Sequence, residues 1–291
     1  MSEAPSRGRA RWLDGRLVRG AEAALSLDDR GARDGEGLLE TLRVYAGRPF
    51  LWEHHLERLV VAAAELGFPV PPSPAILHRA VQELLAAESL ADAAVRITVT
   101  RGVRGVRPGR PACWIEVEPI AARLWKGTRA GSARVVFSKR PFEPGPLGRY
   151  KTTSRLVYHL ARDEARAAGA DEALLVRPEG QVLEGSSSNL FAVTGGVVLT
   201  PPLSAGILPG VTRGLVLRLC AETGIPAREQ VIERDLLASV EELFLTSALQ
   251  EVVPVGWLEG RALSEPKVAP RLLAGYRDAV ASAAMRPLTH A

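Results

Sequence analysis

Apolar residues along this chain fall into stretches of two periods, and their order predicts strands and helices in alternation. From Arg149 to Phe191 the pattern reads loop, helix, hairpin, loop. Leu156, Val157, Leu160, Ala161, Ala165 and Ala168 recur at helical spacing, Arg155, Arg162, Asp163 and Arg166 take the other face, and Gly169 supplies a stop. Thr152, Thr153 or Ser154 can cap this helix, so Lys151, at the end of an irregular Pro/Gly-rich segment, is expected to be positioned by a cap. EALLVR and QVLE flank Pro178-Glu179-Gly180 as a hairpin. Glu184 therefore emerges at a strand end beside the small polar run from Gly185 to Asn189.

The earlier part of the chain follows the same logic. Trp12 to Leu27 reads as short strands with Asp14-Gly15 as a hairpin turn, and LETLRVY as a longer strand. Trp52 to Leu66 is a helix with Leu56, Leu59, Val60, Ala63 and Leu66 inward and Gly67 at its end. Pro69 to Pro74 links to a second helix, Ala75 to Glu88, and the strands AVRITVT and ACWIEVE frame the basic loop RGVRGVRPGRP. The first 120 or so residues thus form an α+β domain. Beyond Phe191, Leu208 to Arg213 precedes a helix with Leu215, Val216, Leu219 and Cys220 on one face, ELFL is a strand, and Lys267 to Ala283 is a closing helix. Main-chain N–H groups and a hydroxyl at such a helix start form an anion site.

Composition narrows the function classes. At 291 residues and 46% hydrophobic content the chain can bury a sizeable core in one large or two smaller domains. Its formal charge of +4 is mild and its arginines are scattered singly, which argues against a nucleic-acid partner. Cys113 and Cys220 stand far apart in apolar runs, as suits buried thiols in a reducing cytoplasm. There is no run of 18 apolar residues and no signal-peptide core near the start, so the expectation is a cytoplasmic protein with no membrane association. Adjacent His54 and His55 diverge by about 100° on a helix and cannot share one ligand, so no metal is expected; His55 reads as structural or phosphate-side. His159 is expected to pack. The four lysines, against 33 arginines, make Lys151 informative.

Two separated segments resemble one family. K-T-T-S-R-L, G-A-D-E-A-L-L and E-G-S-S-S-N-L-F resemble the core of the fold-type IV enzymes that use pyridoxal 5′-phosphate (PLP), the class IV aminotransferases. R-G-A-R-D-G-E-G-L-L-E-T-L-R-V followed by H-L-E-R-L resembles their amino-terminal signature. The group includes branched-chain and D-amino-acid aminotransferases, (R)-amine transaminases and 4-amino-4-deoxychorismate lyases. The resemblance implies an α+β, two-domain fold: a small domain over 1–120, a linker over 121–134 and a larger pseudo-barrel domain over 135–291 that binds PLP. It implies that Lys151 forms the Schiff base and that Glu184 faces the pyridine nitrogen. A lysine amine can condense with the cofactor aldehyde and move a proton at the substrate carbon, while the carboxylate favours a protonated ring that serves as electron sink.

Further site residues follow from the same resemblance. Arg58 matches the family's phosphate-binding arginine, whose fork donates two parallel hydrogen bonds. L-P-G-V-T-R resembles the phosphate cup, giving Leu208, Gly210, Val211 and Thr212; Thr246, Ser247 and Ala248 follow the strand ELFL where the family adds another phosphate contact. Ser188 and Asn189 complete the cofactor set. Arg101, Arg104 and Arg107, in a loop that in the family reaches toward the active site, sometimes the partner subunit's, are candidates to grip a substrate carboxylate. Leu39 stands where the D-amino-acid branch has a tyrosine, and Leu156 where the branched-chain branch has one. The implied protein is a homodimeric transaminase moving an amino group from a small-molecule donor, preferably a D-amino acid, to a keto acid. The alternative readings are the lyase and, more distantly, a non-catalytic PLP-binding or interaction protein.

Overall fold

The computed structural model describes residues 8–105, 112–120 and 132–285. They divide into two compact units, one holding the described residues up to 120 together with Lys151–Ser154, the other holding 132–150 and 155–283. The lysine segment, expected within the 135–291 domain, thus clusters with the amino-terminal unit. Most of the linker expected over 121–134 lies outside the described residues.

The first unit is a six-stranded antiparallel sheet with helices. Its elements are β1 (Arg11–Leu13), β2 (Arg16–Val18), α1 (Arg30–Arg33), β3 (Gly37–Tyr45), β4 (Arg48–Pro49), α2 (Trp52–Glu65), α3 (Pro74–Ala87), β5 (Ala93–Thr100) and β6 (Cys113–Pro119). The sheet order is β2-β1-β6-β5-β3-β4. Asp14 and Gly15 turn β1 into β2 with φ of 47° and 101°, the left-handed pair that a two-residue hairpin requires. Ser73 caps α3 by accepting from Ile76 N at 3.4 Å, with Pro74 at the first helical position. Leu56, Leu59, Ala62 and Ala63 of α2 are buried, whereas Val60, expected inward, is 44% exposed. The stripe is narrower than the apolar content suggests, and Val60 falls outside it.

Residues 151–153 run antiparallel along the edge of β3: Leu38 bridges Thr152, Leu39 N donates to Lys151 O at 2.9 Å, and Thr153 N donates to Gly37 O at 2.8 Å. The expected cap is absent. Thr153 and Ser154 hydroxyls both donate to Gly35 O, at 2.9 and 3.1 Å, and the next helix starts without a side-chain cap. A strand-edge pairing therefore holds the lysine. Gly37 permits it, because a Cβ there would sit 2.7 Å from the Thr153 side chain.

The second unit contains β7 (Ala133–Phe137), α4 (Leu156–Ala167), β8 (Glu172–Val176), β9 (Gln181–Gly185), β10 (Asn189–Thr194), β11 (Val197–Thr200), α5 (Val211–Glu222), β12 (Ala227–Glu229), β13 (Ile232–Glu233), β14 (Glu242–Ser247), β15 (Glu251–Leu258), β16 (Arg261–Ala262) and α6 (Val268–Met285). The strand order β10-β14-β15-β7-β8-β9 returns on itself, since β9 also pairs with β10 at Glu184 and Asn189. That pair closes a barrel of six strands. Leu174, Leu190, Leu243, Leu245, Val253 and Val255 build one core, and Phe142, Tyr158, Ala161, Ala165, Leu175 and Leu183 another, beside α4. The buried face of α4 is rotated from the one expected: Tyr158, Ala161 and Ala165 face in, Leu156 is 71% exposed, and His159, expected to pack, is exposed. Leu156 is the first residue of the helix, where its side chain has no preceding turn to cover.

Candidate active site

In the first unit a buried charge cluster stands behind the lysine segment. Glu40, on β3, is 1% exposed; its Oε1 accepts from Arg58 Nε at 2.7 Å, and its Oε2 accepts from Arg58 Nη2 at 2.7 Å and lies 2.8 Å from His55 Nδ1. Burial would raise the Glu40 pKa, but the Arg58 charge and the hydrogen bonds from His55 and Arg58 outweigh it and hold the carboxyl at about 2. An ionised carboxylate only accepts, so the His55 proton sits on Nδ1 and Nε2 is an acceptor. Burial lowers the His55 pKa, the Arg58 and Lys151 charges push the same way, and Glu40 opposes them. The paired bonds expected to meet phosphate are therefore made by Arg58 to Glu40. Glu40 was not singled out from the sequence; the signal was a lone acidic residue inside the apolar strand LLETLRVY.

The substrate-side candidates are placed as follows. Leu39 is buried on β3, and its N–H holds the Lys151 carbonyl. Arg101 donates from Nη1 to Glu36 at 3.3 Å and from Nη2 to Leu66 O, and lies over the Phe68 ring, so its terminal nitrogens are committed to the fold. Arg104 is exposed and pairs with Asp34 at 3.1 Å. Arg107 lies outside the described residues.

In the second unit, Glu184 and its partners form a hub at the barrel closure. A β-bulge shifts the β8–β9 register, so that Leu175 faces Glu184 while Val176 faces Val182. The extra residue puts Glu184 on the α4 side with Leu183 instead of on the opposite face. Glu184 Oε2 accepts from Leu208 N and Asn189 Nδ2, each at 3.2 Å, and Asn189 Nδ2 also donates to Leu208 O at 3.0 Å. Tyr158 faces the same carboxylate: burial, then the Glu184 charge, raises its pKa to about 12 against the opposing effect of Arg155. Tyr158 remains a neutral donor. Ser188, expected to contact cofactor, donates its only hydroxyl proton to Glu172 at 3.0 Å.

The start of α5 lies close by. Gly210 is its N-cap and provides no side-chain cap, and Thr212 in the first turn is 3% exposed. Arg213 is buried and pins this turn by donating from Nη2 to Pro201 O at 2.9 Å and to Glu229 at 2.6 Å. α5 packs on β14, where Thr246 pairs with Asn189 across the sheet. Thr246 Oγ1 is buried with no hydrogen-bond partner. Ser247 Oγ accepts from Gln250 N at 3.2 Å, and Ala248 lies in the turn that follows.

A family model described as amino-transferase class IV matches residues 37–256. The chain is a class IV aminotransferase. This aminotransferase is 34% identical over 264 residues to a Methanocaldococcus jannaschii protein provisionally named a branched-chain-amino-acid aminotransferase, covering 88% of this chain and 90% of that one. It is 31% identical over 266 residues to the D-alanine aminotransferase of Bacillus licheniformis, covering 89% and 91%. Among solved structures it resembles a hypothetical aminotransferase from Mycobacterium tuberculosis in its PLP-bound form, with a TM-score of 0.82, 27% identity and coverage of 94% and 99%. The fold is that of the fold-type IV enzymes, and the cofactor is PLP.

The aminotransferase's own residues fit such a group. A phosphate would meet the uncapped N–H groups at the start of α5, the Thr212 hydroxyl and the orphaned Thr246 hydroxyl. Among the described residues no group of three or more His, Cys, Asp or Glu side chains could hold a metal ion, and no helix is long and apolar enough to cross a membrane. Burial pushes the Cys113 thiol up to about 12 and the Cys220 thiol up to about 11, so neither is a nucleophile near neutrality.

Gly210 offers a direct test of the hub. A Cβ at this position would lie 1.9 Å from Asn189 Oδ1, whereas one at Gly214, further along α5, would meet nothing within 4 Å. Gly210→Ala must displace the amide that joins Glu184 to Leu208, at about 1–3 kcal/mol of strain. Cofactor affinity, followed by fluorescence titration with PLP, is expected to fall about tenfold or more. Gly214→Ala is expected to bind PLP as the parent does and to unfold at equal or higher temperature.

Proposed function

We propose that this enzyme moves the amino group of a D-amino acid to a 2-keto acid, with PLP held covalently by Lys151 and facing Glu184. The observation that carries the reading is the hub in which Glu184 is fixed by Asn189 and Leu208 next to an uncapped helix start and an orphaned threonine hydroxyl. One end of that arrangement suits a pyridinium nitrogen, the other a phosphate.

When bound, PLP supplies an aldehyde that takes up the donor's amino group and a ring that accepts the electron pair released at the donor Cα. Lys151 Nζ removes and returns the Cα proton. Glu184 keeps a proton on the ring nitrogen through charge-assisted hydrogen bonding. Val211 and Thr212, through main-chain N–H groups, and Thr212 and Thr246, through hydroxyls, would hold phosphate, with Arg58 a further phosphate candidate by family resemblance. Ser247 and Ala248 line the same turn. A homodimer in the cytoplasm completes the proposal, with Arg104 and Arg107 as candidates for the substrate carboxylate.

A D-amino-acid donor is supported by the G-S-S-S-N-L-F segment, by Leu156 in place of the branched-chain enzymes' tyrosine and by the Bacillus licheniformis relative. The named relatives are aminotransferases, and the lyase reading has no support among them. The test is a half-reaction without keto acid. Protein loaded with PLP is mixed with D-alanine or L-leucine, and the visible cofactor band and the keto acid released are followed. D-alanine is expected to bleach the band with about one equivalent of pyruvate per site, at least about tenfold faster than L-leucine reacts. Faster reaction with L-leucine would overturn the donor preference and leave the transaminase in place.

A further inference from the structure

Glu172 opens β8, is fully buried, and among the described residues pairs with no cation. Its charge is met by N–H and O–H groups alone. Oε1 accepts from Ala173 N at 3.1 Å, Ser186 N at 3.0 Å and the Ser186 hydroxyl; Oε2 accepts from Ser187 N at 3.2 Å, Ser187 Oγ at 2.8 Å and Ser188 Oγ at 3.0 Å. All three serines of the run are wrapped around one carboxylate. Gly185 completes the wrap, since a Cβ there would lie 2.2 Å from Ser188 Oγ and 3.1 Å from Glu172 Cδ.

This loop joins Glu184 at the end of β9 to Asn189 at the start of β10, and those two residues face each other in the pair that closes the barrel. Gly185 N donates to Ser188 O at 2.7 Å and Ser186 N to Ala173 O at 2.9 Å, so the loop is fixed at both ends by backbone and in its middle by Glu172. A buried carboxylate without a cation is costly unless every lone pair is used. Here six donors use them. The donors that matter most are the N–H groups of Ser186 and Ser187, because a hydroxyl can turn to accept and an N–H cannot.

We propose that Glu172 is a positioning residue for the reaction: by templating the Gly185–Ser188 loop it sets Glu184 against Asn189, and so controls how firmly the cofactor's ring nitrogen keeps its proton. The inference rests on the reading of Glu184 as the partner of that nitrogen. Glu172 touches neither substrate nor cofactor in this scheme. Glu172→Gln places an amide NH2 where one oxygen now receives N–H donors, and the loop must open to relieve the clash of donors.

The test uses holoenzyme reconstituted with PLP labelled with 15N at the ring, comparing the parent, Glu172→Gln and Glu184→Gln. Glu184→Gln is expected to shift the ring-nitrogen resonance to that of the unprotonated base. Glu172→Gln is expected to lower the pH at which the nitrogen loses its proton by about one unit or more, to weaken PLP binding about tenfold, and to reduce kcat at least about tenfold with the keto-acid KM within about twofold. If Glu172→Gln lowers only the unfolding temperature while Glu184→Gln moves the resonance, Glu172 serves the fold alone and the inference is overturned. An unmoved resonance in Glu184→Gln sinks the reading of Glu184 itself, and the positioning role with it. Should Glu172→Gln not fold, the Ser186→Ala/Ser187→Ala double variant keeps the carboxylate but removes two donors; a smaller shift in the same direction supports the inference, and no shift overturns it.

Discussion

Lys151→Ala is expected to abolish transamination, lowering kcat on the order of 10⁴-fold or more, while leaving the fold in place. The two halves of that expectation have separate physical grounds. The backbone of the segment is held by Leu39 N to Lys151 O, by Thr153 N to Gly37 O, and by two hydroxyls on Gly35 O, all of which the substitution leaves in place. Truncation therefore removes the reactive amine while these backbone and hydroxyl bonds remain. The unfolding temperature of the variant should stay within a few degrees of the parent. Lys151→Arg retains the charge but offers no amine that can deprotonate near neutrality, and should be as inactive as the alanine variant. Single-turnover kinetics with D-alanine and the visible spectrum of PLP-loaded protein provide the readout. Retention of more than about one hundredth of the parental kcat by either variant would falsify the assignment of Lys151.

Glu40→Gln is expected to produce the largest loss of stability. The carboxylate is the shared acceptor of Arg58 and His55 in a buried site, and removing one partner of such a cluster leaves an uncompensated charge, at about 3–5 kcal/mol. Its depressed pKa gives an independent figure: a carboxyl held at about 2 against an ordinary value of 4.5 contributes roughly 3 kcal/mol at neutral pH. For a chain of this size that corresponds to about 5 °C in unfolding temperature. The pH dependence has a fixed sign. Between pH 4.5 and about 2 the unfolded chain binds the proton that native Glu40 refuses, so stability falls as pH falls through that window. His55 acts in the same direction earlier, since its lowered pKa means that below 6.5 the unfolded imidazole is protonated before the buried one. Denaturant unfolding at stepped pH should show a parental curve that falls below pH 6.5 and steepens below 4.5, and a Glu40→Gln curve that starts lower and lacks much of the steepening.

The sequence carried the site further than the contacts that build it. Lys151, Glu184 and L-P-G-V-T-R are recognisable because residue type and order along the chain suffice to mark them. What those residues bond to depends on the fold. Arg58 has the fork that phosphate requires, yet Glu40, 18 positions earlier, takes both of its paired bonds once β3 and α2 are packed. Thr153 and Ser154 have the side chains of a helix cap, yet their nearest acceptor is Gly35 O, more than a hundred residues away. Ser188 is spent on Glu172 in the same way. Periodicity failed where apolar residues occupy ends and margins: Leu156 starts its helix and Val60 borders its stripe, and both face solvent. No propensity reveals that Lys151–Ser154 joins the sheet of the first unit, because an edge pairing of three residues leaves no pattern of its own.

The barrel of the second unit has a seam, and the seam is a single residue pair. Every other junction around the ring is a ladder of several residues, whereas β9 meets β10 only where Glu184 lies opposite Asn189. Completion of the cylinder and assembly of the carboxylate–amide pair are thus one event in the folding of the chain. An enzyme built this way carries its own proofreading: a molecule whose β9–β10 seam is open lacks the Glu184–Asn189 pair as well, so an imperfectly closed copy is also an idle one.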